Sequence, residues 1–426
     1  MRPLSILLAP FGSEGDVRPT LWLASGLAAR GHRVTFIITP YYRHLVAARG
    51  WRVVDIGTQE EFTQTMRDPR LWQPRRGSEL VIDLMLESLP RYNQELDGLG
   101  EKFDLVIGTT LATGAFTWAE KKRIPRLMLQ LQPMCLRGAD DCPLFLENWE
   151  WLCHAPRFVK RALFALFDFA VARQVLRPAN AYRAQVGLPA LRRVYEEFWN
   201  GADGVAALFP DWYAAPQAEW PQNVRQFGFP LELTVNQSRD LPLSAPQSLA
   251  PEVGDFLAAG SPPILWTHGS ANIHTEAFAT GAHAATELLG ARGILVGPAA
   301  RDFPPSGNFL SARSMPFSQI FPRCRAVVHH GGIGTSAQAL AEGVPQLIVP
   351  LAHDQPDNAR RLERLGVAAH LNYHDFSGAG AAAKLRALLD NPATPGHCVR
   401  LQQKISSENF LPALCDWAEQ LAGNAC

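Results

Sequence analysis

The segment Val327-Val328-His329-His330-Gly331-Gly332-Ile333-Gly334-Thr335-Ser336 has the make-up of an anion site. An apolar run reads as a buried strand, three glycines follow, and two hydroxyls stand where a helix should begin. Glycine lets the backbone approach a phosphate closely, and a helix N-terminus offers free N–H groups and the positive end of its dipole. Thr335 and Ser336 add hydroxyl donors. A histidine at the strand end can donate to a phosphate oxygen. A tight strand-to-helix turn would account for the glycines alone, and it is the histidine pair that turns the reading toward a diphosphate.

Three further segments combine polar side chains with strand-to-helix turns. Pro350-Leu351-Ala352-His353-Asp354-Gln355-Pro356-Asp357-Asn358 ends one apolar run and opens a helix. Asp354 and Gln355 can accept from and donate to sugar hydroxyls there, while an N-cap is the plain alternative for Asp354. In Gly12-Ser13-Glu14-Gly15-Asp16-Val17-Arg18-Pro19, Asp16 stands just before a predicted helix. It is a helix cap, or a carboxylate that takes a proton from an attacking hydroxyl. That loop lacks the GxGxxG spacing of a dinucleotide fingerprint. Trp266-Thr267-His268-Gly269-Ser270 ends another strand, and completes a phosphate pocket or forms an ordinary turn.

The elements that must hold these residues follow from periodicity. Leu4–Ala9, Val34–Thr39 and Val53–Ile56 read as strands, separated by a helix from about Pro19 to Arg30 whose apolar face is Leu21, Ala24, Leu27 and Ala28. Leu105–Gly108 and Leu127–Leu129 extend the set. This alternation predicts a parallel sheet with right-handed crossovers. Residues 133–216 turn helical and aromatic. Residues 221–262, rich in proline and serine, read as a linker. The alternation restarts with strands at 264–267, 294–296, 326–329 and 346–349, and helices near 276–289, 336–342, 358–365, 381–389 and 411–421. The expected organisation is α/β: an N-terminal Rossmann-like domain over 1–220, a linker over 221–262, a second such domain over 263–400, and a C-terminal segment, 401–426, that packs back on the first. Two doubly wound domains facing each other across a cleft would place ligands at the carboxyl ends of their strands.

Bulk properties exclude several classes. A chain of 426 residues exceeds what one hydrophobic core usually serves. With 40 basic and 40 acidic residues it exerts no net pull on nucleic acid or anionic membrane, so an anionic ligand must be held by local devices. Seven cysteines, an odd number without a CxxC pair, support neither a disulfide framework nor a zinc site. Reduced thiols in the cytoplasm are expected. No apolar run approaches the roughly 20 residues of a membrane span, and Leu4–Ala9 ends at Pro10 without a cleavage pattern.

At these motifs the chain resembles the GT-B glycosyltransferases that use uridine and thymidine diphosphate sugars. The resemblance spans essentially the whole length. Within that family it is most similar to the rhamnosyltransferases of rhamnolipid biosynthesis, on Gly12–Val17, Asp68-Pro69-Arg70-Leu71-Trp72, Leu208-Phe209-Pro210-Asp211-Trp212, Gly228-Phe229-Pro230-Leu231 and Gly331–Gly334. The resemblance implies Asp16 as catalytic base. It implies a donor diphosphate held by His330 or His329 with Gly332, Gly334, Thr335, Ser336 and Ser270. The donor sugar would lie on Asp354 and Gln355, and the nucleoside near Met315, Phe317 and Gln338. There are departures. Plant relatives stack the base on a tryptophan at the position of Ser314, which cannot stack, leaving Phe317. They bind ribose with a glutamate at the position of Gln338. The rhamnolipid enzymes have His-Pro where this chain has His329-His330.

The implied reaction is inverting and needs neither metal nor cofactor beyond a nucleotide sugar as co-substrate. The expected transfer is of L-rhamnose from its thymidine diphosphate to a 3-hydroxy-fatty-acid type of lipid, with an acyltransferase or the inner membrane surface as further partners. The alternatives are a UDP-glucose-dependent glucosyltransferase on a lipid, sterol or polyketide, and a non-catalytic sugar-nucleotide-binding partner protein. An oxidoreductase is disfavoured, since Ile38-Thr39-Pro40 offers no acid at the second strand end. Phe158 to Leu176 mixes aromatics with Lys160, Arg161 and Arg173, as a core-packed helix, a membrane-surface one or one lining a lipid tunnel would.

Overall fold

The computed structural model describes residues 2–145, 149–231, 249–269, 276–298, 300 and 306–423. The chain divides into two compact units. One contains residues 1–71, 75–230 and 409–426, the other residues 72–74 and 231–408.

The first unit is built on seven parallel strands: β1 (Ser5–Ala9), β2 (Arg33–Ile38), β3 (Arg52–Asp55), β4 (Leu105–Thr109), β5 (Arg126–Gln130), β6 (Gly204–Ala207) and β7 (Val224–Gln226), in the order β3-β2-β1-β4-β5-β6-β7. Its helices are α1 (Glu14–Ala29), α2 (Arg43–Ala47), α3 (Gln59–Arg67), α4 (Pro74–Gly98), α5 (Thr113–Lys122), α6 (Glu150–His154) and α7 (Arg157–Gln185). β1 and β4 are buried along their whole length, as strands covered on both faces must be. The chain winds outward from β1 in one direction and returns to add β4 on the other side. The switch point therefore lies at the carboxyl ends of β1 and β4, where doubly wound folds take ligands. The backbone N–H of Phe11 donates to Thr109 Oγ1 at 3.0 Å, tying the two strand ends together.

The second unit carries α8 (Pro251–Ala258), α9 (Glu276–Leu288), α10 (Phe317–Ile320), α11 (Ile333–Ala341), α12 (Gln355–Arg364), α13 (Gly378–Asp390) and α14 (Thr394–Ser406). Its six parallel strands are β8 (Ile264–Thr267), β9 (Gly293–Val296), β10 (Phe309–Ala312), β11 (Ala326–His329), β12 (Gln346–Ile348) and β13 (Ala368–His370), ordered β10-β9-β8-β11-β12-β13. Alternation sorts the core. Ile264, Trp266 and Val328 pack with Phe278 and Leu385 on one face. Leu265 and Val327 pack with Val253, Ile320 and Phe321 on the other. The switch point here falls between β8 and β11, so the loops after Thr267 and His329 share one end of the sheet.

The last helix, α15 (Leu411–Gly423), belongs to the first unit. A Cβ on Gly26 of α1 would lie 2.9 Å from Leu411, so the glycine is what lets the two helices touch. Arg30 reaches Asp416 at 2.6 Å, and His32 reaches Glu419 at 2.8 Å.

Several boundaries differ from the sequence-based expectation. Helix α1 starts at Glu14 and not at Pro19, because Ser13 and Asp16 close a capping box and the proline sits within the first turns. Helix α11 starts at Ile333 and not near Ser336, which draws Gly334 and Thr335 into its first turn. The stretch expected as a linker contains β7 and α8; its residues 232–248 lie outside the described ones. Strands β6, β7, β10 and β13 were not expected. They read GVAA, VRQ, FLSA and AAH, without the run of large apolar residues that marks the equally short β8 (ILWT) and β9 (GILV).

Candidate active site

The glycine-rich loop of the second unit is shaped by close approaches. Gly331 has φ +89°, and a Cβ there would strike Ile348 Cγ2 at 2.7 Å, so only glycine fits. Gly332 is the N-cap of α11 and provides no side-chain cap. The first N–H groups of the helix are thus left for an outside acceptor. A Cβ on Gly334, in the first turn, would meet nothing within 4 Å, so the space in front of these groups is open. Ser336 Oγ is buried without a hydrogen-bond partner among the described residues. A nucleotide diphosphate fits such a place: free N–H donors, a helix dipole end and an unanswered hydroxyl.

The structure separates the two histidines. His329 is fully buried; its Nδ1 accepts from the Gly331 N–H at 3.1 Å, and its Nε2 lies 2.9 Å from Gln346 Oε1. With Nδ1 accepting, Nε2 carries the hydrogen and donates to Gln346. One ring nitrogen is spent on the loop and the other on β12, so His329 braces the turn and is not presented to a phosphate, contrary to its inclusion among the diphosphate ligands. His330 is only partly buried, and its ring fits between two glycines. Cβ atoms on Gly269 and Gly332 would approach it to 2.8 and 2.4 Å. Its Nδ1 is buried and has no partner among the described residues. Burial, with His329 and His268 nearby, holds its pKa well below the ordinary value, so the ring is a neutral donor at pH 7. His268 stacks on Phe278 at 4.4 Å, with Tyr373 at 5.7 Å, and burial lowers it to about 4. Ser270 lies outside the described residues.

The β12–α12 turn carries the second set. His353 has φ +61°, a left-handed conformation uncommon outside glycine. The turn is held by Gln355, whose Oε1 accepts from the N–H groups of Leu351 at 2.7 Å and Ala352 at 3.2 Å. The Gln355 oxygen is therefore committed, and only its amide group is left to donate. Asp354 occupies the N-cap position but its side chain makes no cap bond. The capping alternative is set aside by that geometry. Its Oδ2 accepts instead from Asn358 Nδ2 at 2.7 Å, and the same Nδ2 donates to Gly331 O at 2.9 Å. Burial raises Asp354 to about 6, against the lowering effect of Asn358. Asn358, fully buried, had no role assigned from sequence. Its signal was an amide four residues after an acid on one helix face. Asp357 is buried against Arg361 Nε at 2.7 Å and anchors α12.

Of the nucleoside candidates, Met315 is a core residue, packed with Leu310, Ile320 and Phe321, and is not presented to a ligand. Phe317 is partly exposed and stacks on Phe321 at 4.6 Å. Gln338 Nε2 donates to Glu342 Oε1 at 2.8 Å, which orients the amide. Burial raises the Glu342 carboxyl. Thr335, partly exposed, stands in the first turn of α11. The second unit thus gathers His330, Gly332, Gly334, Thr335, Ser336, Asp354 and Gln355 around the carboxyl ends of β11 and β12.

In the first unit, Asp16 is the third residue of α1. Its Oδ2 accepts from the Ser13 N–H at 2.9 Å. It is a capping-box partner and not the N-cap expected as its plain role; Ser13 is the cap. Gly12, with φ +131°, allows the approach, since a Cβ there would lie 2.3 Å from Asp16 Oδ2. Asp16 stands at the switch point of its own sheet and is partly exposed.

Among the described residues no cluster of three or more His, Cys, Asp or Glu side chains is arranged to hold a metal ion. Among them, too, no helix is long and apolar enough to cross a membrane.

Residues 6–138 match the glycosyltransferase family 28 N-terminal domain, and residues 297–413 the erythromycin biosynthesis protein CIII-like C-terminal domain. O-mycaminosyltylonolide 6-deoxyallosyltransferase of Streptomyces fradiae is 29% identical over 98% of this chain and 98% of its own. Among solved structures, the glycotransferase of kitacinnamycin superposes with a TM-score of 0.72 at 20% identity, over 99% of this chain and 100% of that one. The spinosyn rhamnosyltransferase SpnG complexed with thymidine diphosphate superposes with 0.67 at 18%, over 98% and 100%. The narrower rhamnolipid expectation rests on the motif resemblance alone. Two parallel doubly wound sheets, with these two domain matches in chain order, make the chain a glycosyltransferase of the GT-B fold, similar in its N-terminal part to family 28 and in its C-terminal part to the erythromycin CIII-like domain.

Proposed function

We propose that the chain transfers a 6-deoxyhexose, L-rhamnose first among the candidates, from its thymidine diphosphate to a hydroxyl of a hydrophobic acceptor, with inversion. The observation that carries the reading is the uncapped start of α11, with open space before Gly334 and the neutral His330 ring beside it. Its N–H groups and His330 hold the diphosphate and stabilise the charge that grows on it as the glycosidic bond breaks. Asp354 accepts hydrogen bonds from the sugar and Gln355 donates to it. Asp16 takes the proton of the acceptor hydroxyl while that oxygen bonds to the anomeric carbon from the face opposite the leaving group. Preorganised donors suffice for the leaving group, so no metal is required.

The donor base is supported by the thymidine diphosphate named in the spinosyn enzyme's structure. For the acceptor, motif resemblance supports a hydroxy-fatty-acid lipid. A second reading, a macrolactone-type polyketide, is supported by the activity named for the Streptomyces relative. The test incubates the protein with TDP-rhamnose and UDP-glucose against a 3-hydroxy fatty acid dimer and a macrolactone, read by mass. Rhamnosyl transfer to either acceptor is expected. Transfer from UDP-glucose alone overturns the donor assignment, and nucleotide binding with no transfer to any acceptor favours a non-catalytic sugar-nucleotide-binding protein.

A further inference from the structure

Solvent-facing positions of a long helix are normally polar. Helix α7 breaks this rule over its first three turns. Phe158, Ala162, Ala165, Leu166 and Phe169 recur at helical spacing on one side, and all five are exposed, Phe158 at 74%, Leu166 at 61% and Phe169 at 80%. The opposite side makes the packing contacts: Lys160 and Phe164 are buried, and Phe164 sits against Phe145 at 6.3 Å. The stripe is therefore not the core-facing side of a misread helix. Among the described residues nine large hydrophobic side chains are exposed, and six of them lie from Trp149 to Phe169; Phe158, Leu166 and Phe169 share the stripe, while Phe167, on the other side of the helix, stacks on Phe145 at 6.5 Å.

The charges that the helix itself carries are mostly basic. Helix α7 contains Arg157, Lys160, Arg161, Arg173, Arg177 and Arg183 against one acid, Asp168, in a chain whose charges balance overall. Asp168 is taken by Arg137. Arg157 and Arg161 face Asp140 and Glu219, while Arg173 and Arg177 continue the exposed side beyond Phe169. Aromatic side chains at the middle of a helix face with arginines along and beyond it match an interface of acyl chains and anionic headgroups. The apolar groups enter the headgroup boundary and the guanidinium groups stay at phosphate depth.

We propose that this face of α7 docks the enzyme reversibly on an anionic lipid bilayer. The proposal goes beyond the transferase reading and stands on surface features remote in sequence from the donor loops. Docking would bring the enzyme to the phase in which a lipid-like acceptor resides.

The test is co-sedimentation of the full chain with vesicles of phosphatidylcholine alone or mixed equally with phosphatidylglycerol, at low and high salt. Binding is expected to the anionic vesicles only, weakening with salt. A Phe158→Ser, Leu166→Ser, Phe169→Ser variant, altered only at exposed positions, should keep its Tm and nucleotide affinity and lose binding by about tenfold or more. An Arg173→Glu, Arg177→Glu variant should lose roughly fivefold per arginine removed. Failure to bind anionic vesicles, or binding indifferent to the triple substitution, overturns the proposal. A dimer in solution that the triple variant abolishes, without vesicle binding, would assign the patch to a second copy and overturn it equally. None of these readouts uses transfer activity, so a failure here leaves the donor chemistry standing.

Discussion

Asn358 donates through one nitrogen to Asp354 Oδ2 at 2.7 Å and to Gly331 O at 2.9 Å, joining the carboxylate proposed for the sugar to the loop proposed for the diphosphate. One amide thus sets the spacing of two subsites that must bind parts of one molecule. Asn358→Leu keeps the volume and removes both bonds. It leaves a buried carbonyl without that donor, at a cost of about 1–3 kcal/mol. Thymidine diphosphate affinity and transfer rate should both fall, and the rate by more, since sugar placement suffers as well. A variant with parental turnover at a lowered Tm would show Asn358 to be purely structural.

The role proposed for Asp354 predicts an acid limb for the transfer reaction. Burial raises its pKa to about 6, so the carboxylate needed to accept sugar hydroxyls is lost below that pH. The stability sign is opposite to that of a paired carboxylate. A raised acid favours the fold most at low pH, and this contribution is lost as pH rises through about 6. kcat/KM should rise through pH 6, and Asp354→Asn should flatten that limb while binding thymidine diphosphate nearly as the parent does. An unchanged limb in the variant would remove Asp354 from the sugar site.

Gly334 and Gly332 make a paired test of where the diphosphate lies. A valine at 334 enters open space over the helix start, so it should fold and lose about a hundredfold or more in thymidine diphosphate affinity, as two charge-assisted bonds are worth. A valine at 332 first meets the His330 ring, at 2.4 Å for its Cβ, and should cost stability as well as affinity. Calorimetric titration alongside melting separates the two. Full affinity in Gly334→Val would place the diphosphate elsewhere.

Asp16→Asn keeps an oxygen for the Ser13 N–H and so keeps the cap. Turnover should drop by about two to four decades with Tm nearly unchanged, as expected when a general base is removed. If turnover falls only with Tm, Asp16 is a capping residue and nothing more.

The buried histidines predict acid lability. Burial lowers both His268 and His329 to about 4. The unfolded chain therefore takes up protons that the fold refuses. Stability present above the ordinary histidine pKa is lost as pH falls from about 6.5 toward 4, by about 1.4 kcal/mol per pH unit for each ring. His329→Gln, which offers one donor and one acceptor of its own, should show a shallower fall in Tm over that range. Equal slopes would mean that other groups carry the acid transition.

The two α/β repeats were legible before folding because buried parallel strands are continuous apolar runs and their helices repeat with another period. The glycine loop was legible because few residue types tolerate its geometry. Strands β10 and β13 were not, since FLSA and AAH carry small and polar residues in place of an apolar run and are recruited by their neighbours in the sheet. Nor could composition divide adjacent histidines. At the end of β11 successive side chains leave on opposite sides, and the one directed inward is consumed by Gln346 and Gly331 while the other lies between Gly269 and Gly332. Met315 and Phe317 were alike as apolar candidates, and only the fold shows Met315 spent in the core. That the Asp354 side chain does not cap α12 turned on its hydrogen bond to Asn358, a choice made by three-dimensional packing. A linear pattern specifies which groups are present and how they repeat, but a polar atom becomes available only when the folded surroundings leave it without a partner.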